Sequence, residues 1–259
     1  MIPKIIHYCW LSDDPIPDQF QKYMNGWREK LPDYEFQKWS LKNFDINSCI
    51  WAKEAFEKKR YATAADVVRL YALYTMGGIY LDMDIEVKRT FNDLLDKPLM
   101  LAYENLKENS IEAGVIGAEK GNFYIKKCLD FYNGKHFINA DGTLPTITLP
   151  EIMYDALKKA DYKGEIYPCN YFTAKSYETG DIFADGQTYC IHHFAGGWKT
   201  ERQKAWHRFQ KKLRKKYGMK LGEKILRFPL MRLYGAIYMY GFRWTVKRLI
   251  SKVKGGFRE

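Results

Sequence analysis

The stretch Gly77-Gly78-Ile79-Tyr80-Leu81-Asp82-Met83-Asp84 decides how this chain is read. Gly77 and Gly78 end a helical run, because glycine accepts the left-handed backbone found at helix C-termini. Ile79–Leu81 then reads as a short strand that runs directly into two aspartates. The residues from Leu70 to Leu81 are almost uninterruptedly apolar, which places Asp82 and Asp84 at the end of a buried strand. Residues two apart along a strand point the same way, and in the turn beyond it two carboxylates can converge on one cation. Hard oxygen ligands suit Mg²⁺ or Mn²⁺, which keep positions open for phosphate oxygens. A D-x-D alone is a common surface turn. The buried strand before it is what makes it a candidate site, since open α/β sheets bind ligands at the carboxyl ends of their strands.

Upstream, Ala62–Met76 carries Val67, Leu70, Tyr71 and Tyr74 at i, i+3, i+4 and i+7, a helical spacing. Asp66 and Arg69 lie three residues apart on one face of that helix, where an ion pair is expected. Trp51–Arg60 and Gln19–Lys30 also read as helices, and Ile2–Trp10 and Tyr34–Trp39 as strands. Downstream, strands are expected at Leu99–Tyr103, Gly114–Ala118 and Gln187–Phe194, and helices at 123–132 and 150–160. Alternating strands and helices predict an α/β sheet protein.

Composition bounds the rest. The 259 residues are 46% hydrophobic and 28% charged, the balance of a globular chain. The net charge of +11 is unevenly placed: residues 199–259 hold 19 of the 42 Lys and Arg against Glu201, Glu223 and Glu259. A basic tail on a mildly acidic body points to an anionic partner. Five scattered cysteines without a C-x-x-C pair argue against a disulfide framework or a zinc site and fit a reducing compartment. The opening MIPKIIHYCW lacks a signal-peptide core, so a cytoplasmic location is expected.

Taken together, Ala64-Ala65-Asp66-Val67-Val68-Arg69 followed by the Gly77–Asp84 stretch resembles glycosyltransferase family 32, with clostridial glucosylating toxins as more distant relatives. The opening Ile2–Trp10 and the late Ile191-His192-His193-Phe194-Ala195-Gly196-Gly197-Trp198 are similar to the two ends of that family, so the resemblance covers roughly residues 1–200. It implies a GT-A type fold, a Rossmann-like mixed sheet flanked by helices, and a retaining, metal-dependent hexosyl transfer from a nucleotide sugar. In that reading Trp10 stacks on the nucleobase, with Tyr8 and Cys9 backbone groups near its edge. Asp66, Arg69 and Tyr80 line the sugar pocket. Asp84 holds Mn²⁺ or Mg²⁺ directly, Asp82 reaches the metal shell or the donor, and His192 is preferred over His193 as the ligand from the far side. His193 and Trp198 sit by the diphosphate, with Lys199 or Arg202 completing the clamp. Two departures stand out: Glu112 replaces an Asn that often contacts the sugar, and Gly197 replaces a Ser.

Two domains are expected, a catalytic domain over 1–205 and a basic amphipathic helical tail over 206–259. In the tail Leu226, Leu230, Leu233, Ile237, Tyr240 and Trp244 recur at helical spacing among Arg227, Arg232, Arg243 and Lys247. That pattern suits a helix lying on the inner face of the cell membrane. The expected partners are a UDP-sugar, a glycan or lipid-linked acceptor in surface-polysaccharide synthesis, and the membrane. A toxin-like protein glycosyltransferase and a non-catalytic membrane- or nucleic-acid-binding protein are the competing readings. Nucleic acid is disfavoured because no base-reading fold is in view.

Overall fold

The computed structural model describes residues 1–196, 200–241 and 245. In chain order the elements are β1 (Ile5–Cys9), α1 (Asp18–Lys30), β2 (Glu35–Trp39), α2 (Ile50–Glu57), α3 (Tyr61–Met76), β3 (Gly78–Leu81), β4 (Ile85–Val87), β5 (Leu99–Met100), β6 (Val115–Ala118), α4 (Phe123–Asp130), α5 (Leu149–Lys159), β7 (Cys190–His192), α6 (Glu201–Arg227) and α7 (Pro229–Tyr240). They fall into two compact units. One joins Met1–Ser176 to Ile182–Ala195, and the other joins Tyr177–Asp181 to the described residues from Gly196 onward.

The first unit is built on a five-stranded sheet in the order β2-β1-β3-β6-β5. β1 runs parallel to β2 and β3, while β6 runs antiparallel to both β3 and β5. Period-two alternation divides each strand between two cores. Ile6, Tyr8, Ile79 and Leu81 face the α1 side, whereas Cys9 and Tyr80 face the cluster formed with α2, α3, α4 and α5. Burial on both faces is why the Leu70–Leu81 run is apolar throughout. This mixed α/β architecture, a mixed sheet flanked by helices, is consistent with the GT-A type that the sequence predicts.

Gly77 and Gly78 make the turn from α3 into β3, with φ of +70° and +113°. Side chains are excluded there on two grounds, the positive φ and the space: a Cβ on Gly78 would stand 2.7 Å from the Ile5 carbonyl oxygen.

Several expected bounds contract, Gln187–Phe194 to β7 among them, and two changes have a plain local cause. β5 stops at Met100 because Ala102 and Tyr103 leave the ladder, pairing as single bridges with Tyr167 and Ile111. In the second unit, the expected continuous helix through Leu226 and Leu230 is broken between α6 and α7. Pro229 cannot donate a helical hydrogen bond and holds the preceding Phe228 extended, at φ −58° and ψ 133°. Trp198, Lys199, Arg243, Trp244 and Lys247 lie outside the described residues.

Candidate metal and donor site

The parallel register Ile6↔Ile79 and His7↔Tyr80 brings the carboxyl ends of β1 and β3 side by side. Trp10 follows one and Asp82 the other. The Asp82–Asp84 turn joins β3 to β4 and is held by backbone bonds: the Asp82 N–H donates to the Gly114 carbonyl at 2.8 Å, and the Ile85 N–H donates to the Asp82 carbonyl at 3.0 Å. β4 pairs antiparallel with β7, setting Ile85 opposite His192. That pairing closes the site. Single ligand atoms of Asp82, Asp84 and His192 lie within 4.8 Å of one another.

His192 is fixed from both sides. Its Nδ1 lies 3.0 Å from both carboxylate oxygens of Glu112, and its Nε2 faces Asp84 Oδ1 at 3.5 Å. Burial alone would lower the imidazole pKa, but the two carboxylates override it and hold the group well above its usual 6.5. Burial likewise works to raise Asp84. The His192 charge and the Ala195 N–H, which donates to Asp84 Oδ2 at 2.7 Å, reverse this and bring it down to about 2. Glu112 is 1% exposed and also accepts from the Gly114 N–H and the Thr173 hydroxyl, each at 2.7 Å. Gly114 leaves room for these groups: a Cβ there would lie 2.9 Å from Glu112 Oε1, 3.0 Å from His192 Cε1 and 3.2 Å from Asp82 Oδ2.

Arg69 forms the second half of the site. It is 4% exposed and reaches Asp66 Oδ1 at 3.2 Å and Asp82 Oδ1 at 3.0 Å, while its Nη1 donates to the Ala113 carbonyl. The ion pair expected between Asp66 and Arg69 therefore exists and extends across to the D-x-D turn. Burial pushes the Asp66 carboxyl up to about 7 against the pull of Arg69. Burial also raises Asp82, with Asp84 adding to the rise and Arg69 opposing it.

The remaining predicted residues take up definite places. Tyr80 is 2% exposed and lies beneath Arg69, with the guanidinium 4.6 Å from the ring centroid. Tyr8 is buried edge-on against Trp27, and burial pushes the Cys9 thiol up to about 12. Trp10 is half-buried, its indole N–H donating to the Asp14 carbonyl at 2.8 Å. His193 turns away from the carboxylate trio: Nε2 meets Glu86 at 2.9 Å, Nδ1 meets Lys175 at 3.2 Å, and the ring stacks on Tyr23 at 4.8 Å. Of the two adjacent histidines, it is His192 that joins Asp82 and Asp84.

Sequence reading missed what Glu112 does. Its signal was a lone carboxylate in the apolar stretch from Ile111 to Ala118, a position that burial forbids unless the charge is paired. Thr173, its hydroxyl partner, carried no signal because nothing local marks it.

Residues 17–101 match the family described as "glycosyltransferase sugar-binding region containing DXD motif". Inositol phosphoceramide mannosyltransferase 3 of Schizosaccharomyces pombe is 33% identical over 128 residues, which are 48% of this chain and 35% of that protein. Mannosyl phosphorylinositol ceramide synthase CSH1 of Saccharomyces cerevisiae is 29% identical over 145 residues, 53% of this chain and 38% of that protein. The chain thus spans somewhat over a third of the length of these curated relatives. Among solved structures, the PaToxG glycosyltransferase superposes with a TM-score of 0.48 and 20% identity, covering 61% of this chain and 70% of that one. The D-x-D turn falls within that match, and the match, together with a relative named a mannosyltransferase, supports a transferase enzyme.

Proposed function

We propose that the chain is a divalent-metal-dependent glycosyltransferase that moves a hexose, with retention, from a nucleotide sugar to a glycan or lipid-linked acceptor. The observation that carries this is the convergence of Asp82, Asp84 and His192 beside the Arg69 network at the ends of β1 and β3. Two carboxylates and an imidazole, with Glu112 orienting the ring, are a donor set that suits Mn²⁺, and the carboxylates alone suit Mg²⁺. When bound, such an ion neutralises charge developing on the departing diphosphate.

The chain's own residues supply the rest. Trp10 offers a ring face for a nucleobase. Asp66 and Arg69 hydrogen-bond sugar hydroxyls, and Arg69 holds positive charge beside the leaving group, where preorganised charge lowers the barrier most. Asp66 and Asp82 are engaged with Arg69, and Asp84 and Glu112 with His192. With these four carboxylates engaged, none serves as a covalent nucleophile, so the retention that the resemblance implies proceeds by attack on the face from which the diphosphate departs. The leaving phosphate oxygen accepts the acceptor's hydroxyl proton.

A UDP-hexose donor in surface-polysaccharide synthesis is the preferred assignment. Mannosyl transfer to a phosphoinositol lipid is the second reading, favoured by the names of the relatives. Hydrolysis of a panel of UDP- and GDP-hexoses tests both, run with Mn²⁺ and again with EDTA. One UDP-sugar cleaved only with metal, and not by Asp84→Asn, supports the proposal. Cleavage of GDP-mannose alone selects the second reading, and metal-independent cleavage contradicts both.

A further inference from the structure

The helical unit carries an apolar groove that plays no part in the transfer chemistry. α6 is interrupted at Gly218, where φ is +75°, and its two halves lie against each other: a Cβ on Gly222 would stand 2.9 Å from the Arg214 Cα. α7 packs onto α6 through Gly235, where a Cβ would meet Trp206 Cζ2 at 2.3 Å. These helices frame a groove of 920 Å³ whose lining includes Trp206, Phe209, Ile225, Phe228, Met231 and Tyr234. Its volume is near the top of the ~300–1,000 Å³ range of small-ligand sites.

Two observations say what covers this face. The first is apolar exposure: Phe228, Leu230 and Tyr234 keep 60%, 69% and 57% of their surface open. Contiguous exposed apolar surface of this kind marks an interaction face. The second is charge. Residues 200–241 carry twelve Lys or Arg against Glu201 and Glu223. Lys224, Arg227 and Arg232 each adjoin a groove residue in the chain, and Arg227 also faces Glu223 at 3.4 Å. Apolar and aromatic side chains set among cations match an anionic lipid surface, whereas the core of a protein interface is depleted of charge. None of the helices is long and apolar enough to cross a membrane, among the described residues.

We infer that this face docks on an anionic lipid bilayer, its apolar side chains entering the headgroup–acyl boundary while the flanking cations pair with lipid phosphates. Such docking would hold the catalytic unit at the surface where a lipid-linked acceptor resides. It stands whether or not the donor assignment does.

The test is flotation of the full chain with liposomes of phosphatidylcholine alone, or of phosphatidylcholine mixed with phosphatidylglycerol. The expected result is partitioning at least ~tenfold stronger on the anionic vesicles and weakened by salt. Arg227→Gln/Arg232→Gln should lose roughly fivefold per cation. Phe228→Glu/Leu230→Glu should lose at least about tenfold while keeping its circular dichroism, since both side chains are exposed. Equal partitioning to neutral vesicles, no partitioning, or a double-glutamate variant that floats like the parent would overturn the inference. So would a parent dimer that sediments as a monomer in that variant, because the groove would then belong to a second copy.

Discussion

Glu112 grips His192 through both carboxylate oxygens, each 3.0 Å from Nδ1, and so presents Nε2 to Asp84. A histidine oriented by a buried carboxylate is set as a ligand before any ion arrives. Glu112→Gln keeps the shape and loses the charge, so Mn²⁺ affinity should fall about 10–100-fold in a calorimetric titration. Glu112→Ala should also destabilise the fold by about 3–5 kcal/mol in urea, because it leaves the buried His192 charge with Asp84 alone and the Thr173 hydroxyl without its carboxylate acceptor. Unchanged metal affinity in the Gln variant would show that the contact is only structural.

The same pair makes metal binding pH-dependent. His192 is held charged at neutral pH, so an ion taking Nε2 must displace a proton. Titrations in buffers of different ionisation enthalpy should report release of about one proton at pH 7, and affinity should rise with pH. In the metal-free protein the linkage has two limbs. The raised His192 value contributes stability that is fully present below pH 6.5 and is lost as pH rises through the folded value. The depressed Asp84 value contributes stability present above 3.8 and lost as pH falls through about 2. Thermal melts across pH should therefore show a maximum between these limbs.

Arg69 joins Asp66, Asp82 and the Ala113 carbonyl above the Tyr80 ring. Arg69→Ala leaves Asp82 and Asp66 without their cation and should cost about 3–5 kcal/mol by urea unfolding. Arg69→Lys keeps the charge but loses the fork that spans three acceptors, so donor affinity should fall with a smaller loss of stability.

Gly114→Ala tests how tightly the ligands are set. The added methyl would press on Glu112, His192 and Asp82 together, at 2.9, 3.0 and 3.2 Å. Overpacking of this kind costs typically ~1–3 kcal/mol, read in the melting temperature. Metal affinity should fall with it, while Gly26→Ala, where a Cβ meets nothing within 4 Å, should leave metal affinity alone.

Much of this molecule is legible in its sequence because its signals are local. The helices over Asp18–Lys30 and Tyr61–Met76 show in their periodicity, and β3 shows in the apolar run that ends at Asp82. Asp66 with Arg69, and the D-x-D turn, show because their spacing is short. β4 does not show: it is three residues long, carries Glu86 at its centre, and exists through pairing with β7 more than a hundred residues away. Glu112 shows only as an oddity. Its partners His192 and Thr173 reach it through the β4–β7 pairing and a late loop, and no local pattern encodes that meeting. The break at Phe228–Pro229 was open to reading, since proline there had to end the tail's helical repeat.

The most direct test of the central claim is calorimetric titration of UDP-hexoses into the protein with Mn²⁺, repeated with Asp82→Asn/Asp84→Asn. Metal-dependent binding of one UDP-sugar that disappears in the folded double variant is the predicted result. Folded protein that binds no UDP-sugar, or binds one equally without metal and in the double variant, would contradict the account.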